Sequence, residues 1–145
     1  MGGLVPKLSW VIRPMLKYWK QTIQVLGYVA GNENEEWSEV TTDDLHDRFE
    51  SNPPALLIDV RPEAEYESSH LPGAKHIHML ELESRLDEIN EFKDKEIVTM
   101  CPGGGLSLVA VDILQEAGFS NVKSLKGGTD EWTRKGYPLE STSVS

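Results

Sequence analysis

The sequence predicts an α/β domain with a mostly parallel sheet, and three observations carry that expectation. Two short runs, "ALLIDV" (55–60) and "EIVTMC" (96–101), are largely apolar, as strands buried on both faces are. Strand-like and helical stretches alternate along the chain, an order that brings strands together through right-handed crossovers. With 145 residues the chain is about one domain long and buries a core without covalent staples.

The elements follow in order. "RPMLKYWKQTIQVLGYVAG" (13–31) has Pro14 at a first helical position and Gly31 at a stop. Met15, Leu16, Trp19, Ile23, Leu26 and Val29 recur at helical spacing, with Lys17, Lys20, Gln21 and Gln24 on the other face. This amphipathic helix suits packing on its own domain, peripheral contact with a membrane surface, or self-association through residues 10–30. After the polar linker "GNENEEW", "WSEV" (37–40) is an edge strand, and "TTDDLHDRFES" (41–51) is a helix that opens on capping residues. "AKHIHM" (74–79) alternates enough for a strand. "MLELESRLDEINEF" (79–92) reads as a helix with Leu80, Leu82, Leu86, Ile89 and Phe92 near one side. "LSLVAVDILQEAGF" is a mostly apolar helix that stops at Gly118, "VKSL" (122–125) is a weaker strand, and "GTDEWTRKG" is a short last helix. The expected organisation is a basic amphipathic extension over 1–31, a linker over 32–36, the domain over 37–140 and a tail over 141–145.

Charge marks the same boundary. Residues 1–31 carry Lys7, Arg13, Lys17 and Lys20 and no acid, whereas the remainder holds 10 basic and 24 acidic side chains, a net −14. An acidic domain is repelled by phosphate backbones, so nucleic acid is not an expected partner. No run reaches the roughly 18–20 apolar residues of a membrane span, and the basic residues near the N-terminus interrupt any signal-peptide core. The expected location is cytoplasmic, with peripheral membrane contact through the N-terminal helix as the variant.

Cys101 is the only cysteine, which removes internal disulfides and cysteine-rich zinc sites. It is either a small buried apolar residue or a working thiol. Its position favours the second, because the end of a parallel strand that feeds a helix is where open α/β sheets bind ligands. The "PGGG" that follows has little bulk, so backbone N–H groups can turn inward at a helix N-terminus and favour a thiolate.

Two longer stretches resemble the rhodanese homology domain of single-domain sulfurtransferases. "LLIDVRPEAEYESSHLPGAKHI" (56–77) is similar to that family's first signature, through Asp59, Val60, Arg61, Glu65, His70, Pro72, Gly73 and Ala74. "IVTMCPGGGLSLVAVDILQEAGFSNVKSLKGGTDEW" (97–132) is similar to its second, with the loop cysteine, Ala110, Leu114, "AGF", "NV", "LKGG" and Trp132 in order. The resemblance implies a five-stranded parallel sheet flanked by helices, with Cys101 catalytic and Pro102, Gly103, Gly104, Gly105, Leu106 and Ser107 as the substrate-binding loop. It further implies transfer of a sulfane sulfur from thiosulfate or a persulfide to a thiol or cyanide through a Cys101 persulfide, with no metal or organic cofactor.

The chain departs from the pattern at Leu106, where many members carry a cationic or hydroxyl-bearing residue. A charge-assisted hydrogen bond worth about 1.5–3 kcal/mol is thereby lost to a dianionic donor, so weak thiosulfate turnover is expected. Lys126 is the nearest candidate to supply the missing charge, and the Ser107 hydroxyl can cap the helix or donate into the loop. Asp59, Arg61 and Glu65 read as an ion-paired group that fixes the loop after its strand, and His70 as a turn-stabilising hydrogen-bond residue. His76 and His78 share a strand face without a third metal ligand, and Trp132 reads as core packing. Two other functions compete. A phosphatase of related architecture needs a longer loop and an arginine, yet the next arginine downstream is Arg134. A non-catalytic scaffold targeted by its N-terminal helix has no need of the thiol and its glycine loop.

Overall fold

The computed structural model describes residues 38–142. The amphipathic helix expected over 13–31 and the linker over 32–36 lie outside the described residues. Within them run β1 (Glu39–Thr41), α1 (Thr42–Arg48), β2 (Leu56–Asp59), α2 (Glu63–Ser68), β3 (Lys75–His76), two 3-10 segments (Met79–Glu81 and Glu83–Phe92), β4 (Glu96–Met100), α3 (Leu106–Glu116), β5 (Asn121–Lys126) and α4 (Gly128–Arg134). The strands form one five-stranded sheet in the order β1-β5-β4-β2-β3, and every pairing is parallel. Among the described residues, no helix is long and apolar enough to cross a membrane.

Burial on both faces explains why the central strands read as apolar runs. In β2, Leu57 joins the core cluster of Leu45, Leu125 and Trp132, while its neighbour Ile58 joins the opposite cluster with Ala110, Leu114 and Phe119. In β4, Ile97 and Val98 divide between the same two clusters. Trp132 is fully buried in the cluster with Leu57, Val98 and Leu125, which packs α4 against the sheet, and its indole N–H donates to the Pro138 carbonyl at 2.8 Å, tying the segment after α4 to the helix. At the start of α1, the Thr41 hydroxyl accepts from the Asp44 N–H at 3.1 Å, the cap its sequence promises.

Residues 79–92 differ from the expected helix. They form 3-10 turns, interrupted by non-helical backbone at Arg85 (φ −115°) and Ile89 (φ −120°). The breaks at Arg85 and Ile89 divide the segment into short turns, the length at which i→i+3 bonding is used. Leu86, Ile89 and Phe92 still reach the core beside α3, whereas Leu80, expected on the same side, is 87% exposed. β3 is also shorter than its sequence suggests, two residues on a sheet edge.

Candidate active site

The strand carrying the cysteine ends at Met100, so Cys101 is the first residue beyond β4, at the carboxyl end of a central strand. The thiol is 2% exposed and packs with Val60 and Ala110. Its sulfur is nevertheless surrounded by donors. The backbone N–H groups of Gly104 and Ser107 point at Sγ from 3.1 and 3.3 Å, and the thiol lies 3.4 Å from the Ser107 hydroxyl. Leu106 opens α3, so the sulfur sits at the N-terminal end of an 11-residue helix, where the dipole favours negative charge.

Glycine is needed at Gly104 for two reasons. Its φ is +93°, and a Cβ there would meet the Gly127 nitrogen at 3.1 Å and the Leu125 carbonyl at 3.2 Å. The loop is held from below by the start of α4. The Thr129 N–H donates to the Cys101 carbonyl at 2.9 Å and the Asp130 N–H to the Pro102 carbonyl at 3.0 Å. These are first-turn N–H groups of a helix, which have no partner within it.

Ser107 does not cap α3; that position belongs to Gly105, which makes no side-chain cap bond. The Ser107 hydroxyl faces inward instead, 2.6 Å from the Ser124 hydroxyl of β5, and Ser124 in turn lies 3.4 Å from the Gly104 carbonyl. The Thr99 hydroxyl donates to the Ser107 carbonyl at 2.8 Å. Ser107, Ser124 and Thr99 are all fully buried. Neither Ser124 nor Thr129 stands out in the sequence, since a serine inside a short strand carries no sign of which face it occupies.

The remaining sequence candidates fall into separate groups. Asp59 and Arg61 are both buried and form a side-on pair, with Nη2 to Oδ2 at 2.7 Å and Nε to Oδ1 at 3.0 Å, and Arg61 also donates to the Ser69 carbonyl at 2.6 Å. Glu65 is not part of that pair. It is exposed and lines an open cleft of about 330 Å³ together with Arg61, Ser68, Pro102 and Asp130, directly beside the cysteine loop. With the Arg61 guanidinium committed to Asp59, two carboxylates stand at the cleft, Glu65 and Asp130.

His70 is buried, its Nδ1 2.7 Å from the Tyr66 carbonyl and its ring stacked on Tyr66 at 3.9 Å. His76 Nε2 lies 2.7 Å from the Arg61 carbonyl, and His78 Nδ1 accepts from the Leu80 N–H at 3.2 Å, so the two rings are engaged separately. Lys126 ends β5 with an exposed side chain whose charge acts on Glu39; burial raises that carboxyl above its usual range and Lys126 opposes the shift. Leu106 is 57% exposed, beside the mouth of the loop.

Comparison with known proteins agrees with the fold. Residues 41–135 match the family described as the rhodanese-like domain. A sulfurtransferase of Allochromatium vinosum is 31% identical over 102 residues, which cover 70% of this chain and 94% of that protein. The YrkF protein of Bacillus subtilis is 33% identical over 97 residues, 67% of this chain but 51% of its own length, so the chain spans about half of it. The solved structure of the Alr3790 protein from Anabaena sp. superposes with a TM-score of 0.66 at 31% identity, covering 72% of this chain and 94% of that one. The shared sheet, the matched segment and the identity across nearly a whole relative establish this chain as a member of the rhodanese-like domain family.

Proposed function

We propose that this protein is a sulfurtransferase or sulfur carrier in which Cys101 takes up a sulfane sulfur as a persulfide and passes it to a thiol or cyanide. The observation that carries the reading is the nest of donors around Sγ, with the N–H groups of Gly104 and Ser107 at 3.1 and 3.3 Å and the N-terminus of α3 behind them. A thiolate held there attacks the outer sulfur of the donor. The new Sγ–S bond forms as the donor's S–S bond breaks, and its electron pair leaves with sulfite or with the donor thiolate. The terminal sulfur then carries the charge, and inward N–H groups at the loop stabilise it. The acceptor attacks that outer sulfur, its bond to Sγ breaks, and the Cys101 thiolate is restored.

Two features favour a persulfide donor over thiosulfate. Leu106 brings no charge to the loop mouth, and Glu65 and Asp130 place carboxylates along the adjoining cleft, which repel a dianion. The name of the Allochromatium vinosum relative, a sulfurtransferase, agrees with the reaction class.

The test is the intact mass of the chain after incubation without reductant, once with thiosulfate and once with a cysteine desulfurase and cysteine. A gain of one sulfur atom, stronger with the desulfurase and absent in Cys101→Ser, is expected. A folded protein that takes up no sulfur from either source overturns the reading in favour of a non-catalytic module.

A further inference from the structure

We propose that Ser124 of β5, whose hydroxyl touches Ser107 and Gly104, is a positioning residue for Cys101. It acts through Ser107, and the two hydroxyls form a reversible relay that reads the charge on Sγ. The part this relay plays in sulfur transfer, though not the relay itself, rests on Cys101 being the sulfur-carrying nucleophile.

The argument begins with burial. Ser107 and Ser124 are fully buried and Cys101 nearly so, so each hydroxyl must find its partners inside the cluster. Ser124 is placed by sheet register, opposite Thr99, two residues before the cysteine. With a neutral thiol, every donor runs one way. The S–H donates to Ser107 Oγ across 3.4 Å, the Ser107 O–H to Ser124 Oγ across 2.6 Å, and the Ser124 O–H to the Gly104 carbonyl across 3.4 Å. Once Sγ has lost its proton to solvent it is an acceptor only. The Ser107 O–H must then turn to the sulfur, the Ser124 O–H turns to Ser107, and the Gly104 carbonyl is released. No proton passes along the relay; two hydroxyl rotors turn.

Distances decide that the reversal is favourable. It gives up a 3.4 Å contact, longer than an ordinary O–H···O bond, and keeps the 2.6 Å one. It gains a hydrogen bond to a charged sulfur, the stronger class. In the persulfide the charge moves to the outer sulfur and Sγ is neutral, so the relay relaxes and Ser124 again holds the Gly104 carbonyl. Gly104 is thus tied to the state of the cysteine at both ends, through its N–H at 3.1 Å from Sγ and through its carbonyl.

The test reads Cys101 ionisation through the pH profile of its alkylation by iodoacetamide, in the full chain and in Ser124→Ala, Ser107→Ala, the double variant and Ser124→Thr. Ser124→Ala is expected to raise the midpoint by about half a pH unit, roughly threefold less thiolate at a given pH below it. Ser124→Thr, which keeps the hydroxyl, is expected to stay near the parent. In the Ser107→Ala background Ser124→Ala is expected to add nothing, because its route to the sulfur is gone. An equal shift in both backgrounds, no shift in the parent background, or a Thr variant that behaves like Ala overturns the proposal. Alkylation needs no sulfur donor, so loss of persulfide loading with this cycle intact overturns the sulfur-transfer reading and leaves the relay standing.

Discussion

Gly128 lies directly beneath the carbonyl of Cys101, with φ +65° and no room for a side chain. A Cβ there would fall inside contact distance of the Cys101 and Pro102 carbonyl oxygens and 2.6 Å from the Pro102 carbonyl carbon. The start of α4 is therefore the floor of the cysteine loop. Gly128→Ala is expected to destabilise the domain by about 2–4 kcal/mol, since strained backbone and a clash with other backbone add together. Gly136→Ala is the control: its φ is +75° but nothing lies within 4 Å of a Cβ, so only the backbone cost applies. Urea unfolding of both variants checks the difference. Persulfide loading is expected to fall with Gly128→Ala and to persist with Gly136→Ala.

Leu106 is the position at which donor choice is most open to change. It is 57% exposed and begins the helix that feeds the sulfur, so a longer side chain there needs no repacking. Leu106→Arg is expected to raise the thiosulfate-dependent rate by about tenfold or more, the lower end of what a charge-assisted bond of about 1.5–3 kcal/mol supplies. Loading from a persulfide donor is expected to change less. Rates of thiocyanate formation from thiosulfate and cyanide, beside loading by a desulfurase, separate the two.

How much of this was legible in the sequence depended on the range of the interaction. β2 and β4 are plain because both of their faces are buried, and the Cys101 loop because a strand, a thiol, glycines and a helix stand in immediate succession. Residues 79–92 were half legible: of the apolar side that the spacing picks out, Leu82, Leu86, Ile89 and Phe92 meet the core but Leu80 is 87% exposed, and intervals of three serve a 3-10 turn as well as an α-helix. Asp59 and Arg61 pair locally and could be read; Glu65, four residues on, turns to the cleft, because α2 carries it past the pair. Ser124, Gly128 and Thr129 were not legible as parts of the site. They reach it only because β5 lies beside β4 in the sheet, a pairing between residues more than 20 apart.

The Asp59 and Arg61 pair is a case where removing one partner is expected to harm more than removing both. Asp59 is fully buried and Arg61 9% exposed, so Asp59→Ala strands a guanidinium that keeps only the Ser69 carbonyl. A loss of about 3–5 kcal/mol is expected from breaking a buried pair in this way. The double variant Asp59→Leu with Arg61→Leu, which removes both charges and keeps apolar bulk, is expected to be the more stable of the two. Denaturant melts of both, with the parent, measure the ordering.

Glu96 gives the fold its clearest acid dependence. It starts β4 and receives both terminal guanidinium nitrogens of Arg48 from α1 in an end-on pair, and Lys123 of β5 at 2.9 Å on Oε2. The Arg48 hydrogen bond, with Lys123 assisting, holds its carboxyl below the usual carboxylate range against the opposing effect of burial. A carboxyl lowered in the folded state adds stability that is present above its unfolded value, near 4.5, and is lost as the pH falls through the lower folded value. Because the side chain is only 15% exposed and joins three elements, about 1 kcal/mol is expected at neutral pH, the upper range for pairs of this kind. Glu96→Gln is therefore expected to be less stable than the parent at pH 7 and to converge with it as the pH falls below 4.5. Urea midpoints taken from pH 7 to pH 3 would show that convergence, and a constant gap across the range would mean that Glu96 contributes packing and not charge.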